Sequence, residues 1–245
     1  MKSGYDEIAA KYDERYSEAD FTGIENSLKK FYNVNRTLEI GCGTGKWLEN
    51  FSRFKVGLDL SFGMLKEAKG KNITRIIQAD GEKLPFYSNT FDFVFIVNAI
   101  HFIKRKDLLA DEISRILKSG GVFLLIFADV HDHEYSWYLY DFFPKVKKLD
   151  YSRFEKPEVL KNIFERNKFS TPTISTVDKV GKDFYGEKVF EDPFLKKHNS
   201  SQLAMLSEKE YESGIKKIEA LIKSKNRHQF KTEIIFKSLM CKKIK

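Results

Sequence analysis

The sequence predicts an α/β fold in which a parallel sheet is covered by helices on both faces. Three observations predict it. Short β-rich runs alternate with helical patterns from residue 37 to 128, the first run ends in a glycine-rich turn, and Val122–Phe127 is continuously apolar. Strict β-α-β-α alternation specifies parallel strands with crossover helices, whose right-handedness leaves few topologies. An unbroken apolar run is what a strand buried on both faces requires.

The elements follow in order. An acidic amphipathic segment, about Tyr5 to Ser17, opens the chain, and a second helical pattern spans Phe21–Tyr32. Thr37–Ile40 is the first strand, and Trp47–Phe51 reads as helical. Val56–Asp59 is the second strand and Phe62–Lys69 the next helix. Asn72–Gln78 and Phe91–Val97 are strands three and four, separated by turn residues Pro85 and Ser88-Asn89. Lys106–Lys118 carries apolar residues at Leu108, Leu109, Ile113, Ile116 and Leu117 and is stopped by Gly120-Gly121. Beyond Asp129 the alternation ceases. Residues 131–170 read as helical and aromatic, Thr173–Tyr185 as a strand and Phe230–Cys241 as a last strand. A capping box at Ser207–Glu210 precedes a helix to about Lys223. The chain is thus expected to form one domain over 1–245, with N-terminal helices at 1–35 and a ligand-binding core at 36–128. Residues 131–170 and 186–228 are helical additions over one end of the sheet.

Composition bounds the function. At 245 residues, with 42% hydrophobic and 14% aromatic content, the chain can bury a core without a metal or disulfide staple. Cys42 and Cys241 form neither a disulfide framework nor a zinc knuckle, so no metal is expected. The opening MKSGYDEIAAKYDERY has no apolar h-region, and Val122–Ala128, the longest apolar stretch, is far below the ~18 residues of a membrane span. A cytoplasmic, reducing location is expected. The net charge of +8 invites a nucleic-acid reading, but most of the excess lies in residues 186–245, with fourteen Lys+Arg against eight Asp+Glu. There it is spread as single and paired lysines, consistent with a solvated helix face as well as with a phosphate-binding surface.

The informative motif is Thr37-Leu-Glu-Ile-Gly-Cys-Gly-Thr-Gly-Lys46. Glycines at alternate positions permit torsions and close approach that a Cβ would prevent. The turn should present backbone N–H groups and a helix N-terminus to a carboxylate or phosphate. Asp59, ending strand two, can accept both hydroxyls of a ribose. A dinucleotide fingerprint would need glycine where Lys46 stands. A P-loop would need glycine at Ile40 and a hydroxyl at Trp47.

The loop LEIGCGTG, the strand end GLDLS, the opening YDEIAAKYDERY and the pair QADGEKLPF … FDFVFIVNAIHFI … ISRILKSGGVFLLI together resemble the class I S-adenosylmethionine-dependent methyltransferases, notably the small-molecule, type 11 branch. The resemblance covers about residues 5–128. It implies a Rossmann-like seven-stranded sheet of order 3-2-1-4-5-7-6 with strand seven antiparallel, S-adenosyl-L-methionine as cofactor and S-adenosyl-L-homocysteine as product. Gly41, Gly43 and Gly45 would pass under the methionine moiety, and Asp59 would bind the ribose. Leu60 and Met64 would flank the adenine, which Ala79, Asp80 and Gly81 would meet at its edge. Asn98 and Ala99 would touch the methionine end, and Tyr5 and Tyr12 would close over the cofactor. Asp80 could instead be a turn residue, and Met64 and Tyr12 plain core.

His101, beyond strand four, is the one candidate base, and it could equally be a packed structural histidine. The sequence after strand four lacks the Asn/Asp-Pro-Pro-aromatic motif of amide and exocyclic-nitrogen methylation. Neither cysteine is placed to attack a cytosine ring, and the thiols of arsenic methylation are missing. A small-molecule acceptor at oxygen, amine, carboxylate or activated carbon remains, with RNA modification or non-catalytic cofactor binding as alternatives. Tyr135–Phe143 and Phe184, Tyr185, Phe190 and Phe194 could line the acceptor pocket or form the core of the additions.

Overall fold

A computed structural model describes residues 6, 9–16, 20–71, 73–197 and 199–244. The central sheet is built from β1 (Arg36–Ile40), β2 (Phe54–Asp59), β3 (Ile76–Gln78), β4 (Phe91–Val97), β5 (Leu117–Ala128), β6 (Ser136–Trp137), β7 (Thr173–Gly181) and β10 (Thr232–Lys242). Its order runs β3-β2-β1-β4-β5-β10, with β7 on the far side of β10 and short β6 continuing past β5. β1 to β5 are mutually parallel, and β10 lies antiparallel to both β5 and β7. In order of appearance this is 3-2-1-4-5-7-6 with the last strand reversed, as expected. A separate ribbon pairs β8 (Phe184–Tyr185) with β9 (Gln229–Phe230).

The helices are α1 (Thr22–Lys29), α2 (Phe62–Gly70), α3 (Lys106–Ile116), α4 (Leu139–Phe142), α5 (Pro144–Arg153), α6 (Pro157–Glu165), α7 (Ser201–Ala204) and α8 (Glu208–Ser224), with a 3-10 turn at Ala9–Tyr16. One apolar layer packs α3 and α6 on the sheet through Leu109, Ile113, Phe123, Phe164 and Leu239. The opposite layer packs Ile24, Leu28, Trp47 and Phe51 against Phe93, Phe95 and Ile126. A third cluster, with Trp137, Leu139, Phe143, Leu203, Ile218 and Phe230, is the core of the additions themselves. The Ser207–Glu210 capping box is present and starts α8, which ends one residue past its expected limit.

Several elements differ from expectation. Trp47–Phe51 forms consecutive turns rather than a helix, with the Phe51 N–H donating to Leu48 C=O. Only eight residues separate Gly45 from β2, too few to repay helix nucleation, and Trp47, Leu48 and Phe51 must all turn inward. Strand three shrinks to Ile76–Gln78 because Ile73 leaves the strand line to fill the space against Gly45. The runs Thr173–Tyr185 and Phe230–Cys241 each break in two. After Gly181, whose Cβ would stand 2.3 Å from Thr232 C=O, the chain leaves the main sheet for the β8–β9 ribbon.

Candidate active site

The glycine loop sits at the carboxyl ends of β1, β2 and β4, where the strand order reverses and open α/β sheets bind ligands. Gly41, Gly43 and Gly45 all have positive φ, of 72°, 52° and 79°. Their side-chain directions differ. A Cβ on Gly41 would lie 2.5 Å from the Ala99 Cβ, and one on Gly45 2.1 Å from the Ile73 Cδ1. A Cβ on Gly43 would meet no atom of the described residues within 4 Å. Two glycines thus serve packing, and the third leaves a hollow open.

Four of the loop's N–H groups are committed internally. Gly41 and Cys42 donate to Leu58 C=O, Gly45 to Cys42 C=O, and Gly43 to Asp59 Oδ2 at 2.8 Å. With no helix following, the loop does not offer the helix N-terminus expected for an anion. What it offers is a carboxylate. Asp59 Oδ1 also accepts from Ser61 N–H at 2.8 Å, which fixes the side chain beside Gly43. Burial raises the Asp59 carboxyl and the charge of Asp6 adds to this, while the Ser61, Gly43 and Leu60 N–H groups oppose it. Behind it Glu39 is fully buried, and neither carboxylate oxygen has a hydrogen-bond partner among the described residues. Burial first, and Asp59 second, push the Glu39 carboxyl well above the ordinary glutamate range. Cys42 is buried, and its thiol is likewise pushed well up, first by burial and then by Glu39 and Asp59. It is not poised as a nucleophile.

The remaining cofactor candidates gather around this point. Leu60 is 61% exposed on the rim, and its C=O accepts from Gln78 Nε2. Ala79 N–H donates to Asp59 C=O. Asp80 is exposed, and its Oδ1 accepts from Glu82 N–H at 3.0 Å, so it does serve the turn. Gly81 is buried with its α-carbon turned toward Ile103, Ile40 and Leu109. Asn98, with φ of 50°, ends β4 beside Ala99, opposite Gly41. Met64 is buried and packs on Ala9 and Tyr12 under the N-terminal 3-10 turn. Tyr5 lies outside the described residues. The N-terminal segment is pinned to the site by two carboxylates. Asp6 Oδ1 accepts from Ser61 Oγ and Gly63 N–H, and Asp13 accepts from Thr44 Oγ1 and pairs with Lys71.

From Asn98 a cavity extends between the end of the sheet and the additions. Tyr12, Trp47, His101, Phe102, Tyr135, Trp137, Phe154, Phe184 and Phe194 line it, with Asp150, Lys182, Asp192 and Gln202 as its polar wall. His101, on the turn Ile100–Phe102, is buried and stacked on Phe154 at 4.1 Å between ring centres. Tyr12 both packs on Met64 and faces the cavity. Of the aromatic residues weighed for the pocket, Tyr135, Trp137, Phe184 and Phe194 line it. Tyr138 and Phe143 are buried in the core of the additions, and Tyr185 and Phe190 are exposed.

Asp150, Asp192 and Gln202 were not foreseen. Asp150 stands three residues before Arg153, the ordinary spacing of an exposed helix pair, yet it is 1% exposed and bound to Arg153 Nη2 at 2.9 Å. Asp192 accepts from Tyr138 OH at 2.7 Å and from Phe194 N–H. Among the described residues one group has metal-binding proximity, Asp132, His133 and Glu134 on the turn after β5. Its two carboxylates are already paired with Lys237 and Lys179.

A hollow at a glycine loop, a buried carboxylate at the second strand end and a cavity beyond the fourth define a class I methyltransferase domain. The methyltransferase-domain family model matches residues 38–125. An uncharacterized protein of Methanocaldococcus jannaschii is 31% identical over 203 residues, covering 76% of this chain and 95% of that one. The ubiquinone/menaquinone biosynthesis C-methyltransferase of Pseudomonas aeruginosa is 33% identical over 139 residues, 49% of this chain and 54% of that protein. The phosphoethanolamine N-methyltransferase 2 of Haemonchus contortus, solved with S-adenosyl-L-methionine, has the same fold. Its TM-score is 0.62 at 18% identity, over 99% of this chain and 58% of that one. The chain belongs to the class I S-adenosylmethionine-dependent methyltransferase family. No helix among the described residues is long and apolar enough to cross a membrane.

Proposed function

We propose that the chain transfers a methyl group from S-adenosyl-L-methionine to a small molecule held in the aromatic cavity. The observation that carries this reading is the open side of Gly43 next to the fixed Asp59 carboxylate, with Asn98, just past the neighbouring strand β4, lining the cavity. The residues fit an adenosyl amino acid. Asp59 keeps lone pairs for a ribose diol, Leu60 offers an apolar face for adenine, and Asp80 and Gly81 stand at its edge. Asn98 and Ala99 close the methionine end.

Bound S-adenosylmethionine supplies an electrophilic methyl group on a good leaving group. The chain's own task is alignment and exclusion of water. Well-held pairs reach effective molarities of ~10⁵ M or more, so the wall formed by residues 131–170 and 186–228 is read as acceptor-positioning machinery. The small-molecule reading over RNA rests on the cavity's aromatic lining and on α8, where lysines alternate with Glu208, Glu210, Glu212 and Glu219. Cytoplasmic residence belongs to this reading and is supported by two free, buried thiols. Calorimetric titration with S-adenosylhomocysteine tests it. Wild type should bind and Asp59→Ala should bind far more weakly. No binding by wild type near millimolar ligand, where the free energy would be only about −4 kcal/mol, sinks the reading.

A further inference from the structure

We propose that the acceptor is an alkylamine, and that the ring row Tyr135–Tyr140–Trp137–Phe194, with Asp150 and Asp192, holds the nitrogen that carries its positive charge. The inference rests on the transferase reading above and names the acceptor class.

The rings are continuous. Tyr135 stacks on Tyr140 with ring centres 5.9 Å apart, Tyr140 meets Trp137 edge to face at 5.6 Å, and Trp137 meets Phe194 in the same way at 6.4 Å. Tyr135, Trp137 and Phe194 line the cavity, and buried Tyr140 links the first two. Each half of the row carries a carboxylate. Asp150 Oδ2 accepts from Tyr140 OH and Asp192 Oδ1 from Phe194 N–H, both at 2.9 Å. These carboxylates line the same cavity at 1% and 4% exposure. Aromatic faces attract a cation through their quadrupole, most strongly where water is excluded, and cages of such faces recognise quaternary ammonium groups.

The cavity wall already meets this preference at two other rings. Lys182 Nζ lies over the Phe184 ring at 5.1 Å and the Arg153 guanidinium over the Phe102 ring at 5.6 Å. Among the described residues no side-chain cation lies over Tyr135, Tyr140 or Trp137. Arg153 Nη2 takes Asp150 Oδ1 at 2.9 Å and leaves Oδ2 with the Tyr140 hydroxyl and, at 3.4 Å, the Gln202 amide. Burial raises the Asp150 carboxyl against all three contacts, so one guanidinium does not restore what burial takes from the carboxylate. A second cation near Oδ2 would. A neutral acceptor would leave that deficit standing, and an anionic one would deepen it.

The transfer itself moves positive charge toward this wall. The ammonium form first gives its proton to water. The nitrogen lone pair then forms the N–CH3 bond while the S–CH3 bond breaks and its electron pair stays on sulfur. The positive charge passes from sulfur to nitrogen, where fixed rings and carboxylates favour it as it develops. A tertiary amine ends as a quaternary ammonium, and a primary or secondary one returns an N–H proton to water.

The test uses three probes of nearly one shape and different charge: choline, 3,3-dimethylbutan-1-ol and 3,3-dimethylbutanoate. Each gives one strong methyl resonance, so saturation-transfer NMR titrations on the full chain, saturated with S-adenosylhomocysteine, yield their dissociation constants. Wild type should bind choline at least about tenfold more tightly than the alcohol, and the carboxylate most weakly. Asp150→Asn and Trp137→Leu should each cut the choline-to-alcohol preference at least about threefold. Should Asp150→Asn fail to fold with Arg153 left unpaired, Trp137→Leu keeps that pair and carries the test alone. Wild type that binds S-adenosylhomocysteine yet holds the alcohol or the carboxylate as tightly as choline, or holds none of the three, overturns the amine assignment and leaves the transferase reading standing. So does a Trp137→Leu variant with the wild-type preference. Failure to bind S-adenosylhomocysteine instead defeats the reading beneath it.

Discussion

The three loop glycines predict three different alanine phenotypes. Each has positive φ, so each substitution incurs the left-handed cost of about 1–2 kcal/mol. At Gly43 nothing is added to it, since the new methyl meets no atom of the described residues within 4 Å. At Gly41 the methyl would stand 2.5 Å from the Ala99 Cβ, which cannot rotate away. At Gly45 it would stand 2.1 Å from the tip of Ile73, which is 1% exposed and has little room to move. Overpacking of that kind costs a further ~1–3 kcal/mol. Thermal melts should therefore place Gly43→Ala nearest wild type. For a chain of this length each kcal/mol lowers the melting temperature by roughly 2–4 °C. Binding should rank the other way. If the hollow beside Gly43 holds the cofactor, its new methyl overpacks the ligand by the same ~1–3 kcal/mol, an affinity loss of about 5- to 150-fold for S-adenosylhomocysteine by calorimetry. Gly43→Ala that binds as wild type, or that melts as low as Gly41→Ala, refutes the assignment of that open side to the ligand.

Three further outcomes follow from the buried charges. The folded Glu39 carboxyl titrates well above its unfolded counterpart, so stability is full below the ordinary glutamate pKa and is lost as pH rises through the raised folded value. Glu39→Gln should flatten that loss in denaturant titrations and raise stability at neutral pH by about 1.4 kcal/mol per unit of the gap, and an unchanged pH profile would contradict it. Asp59→Asn must turn an amide toward either the Gly43 or the Ser61 N–H, setting donor against donor. It should cost about 1–3 kcal/mol in a melt and weaken S-adenosylhomocysteine at least as much as Gly43→Ala, while wild-type values for both would remove Asp59 from the site. Lys237, held between Asp129 and Asp132 at 2.8 Å each, leaves Asp129 buried and unpaired when changed to methionine, for a predicted loss of ~3–5 kcal/mol by chemical denaturation; a loss under about 1 kcal/mol would show the pair to be solvent-compensated.

The core was legible because its signals are local. Thr37–Ile40, Val56–Asp59 and Val122–Phe127 carry their apolar patterns within a few residues, and glycine at 41, 43 and 45 marks a bend that other residues disfavour. The loop's internal bonding was not legible, because the Gly43–Asp59 bond joins positions 16 apart across two strand ends. Trp47–Phe51 misled for a related reason. Its spacing suits a helix face, and what overrides it is the short tether to β2 and the demand that three large side chains enter one cluster.

The cavity resists reading from sequence more strongly, and the reason is chemical. Tyr12, Asn98, Tyr135, Asp150, Asp192, Gln202 and Thr232 meet in one cavity from seven separate stretches of chain. None has a periodic partner, and Asp150 has in Arg153 the neighbour that elsewhere signals an exposed pair. Only burial separates the two cases, and the burial of Asp150 comes from α7 and from Tyr140, neither of which any local pattern announces. Cofactor binding must recur with the same geometry in every member that uses the same donor, so it is written in a compact motif. An acceptor, on the reading proposed above, imposes no such constraint, and the residues that would meet it are distributed over the additions. A carboxylate kept at 1% exposure on a cavity wall, held by the Tyr140 hydroxyl and by Arg153, is costly to maintain for packing alone, because apolar side chains of similar volume would fill that space without the desolvation penalty.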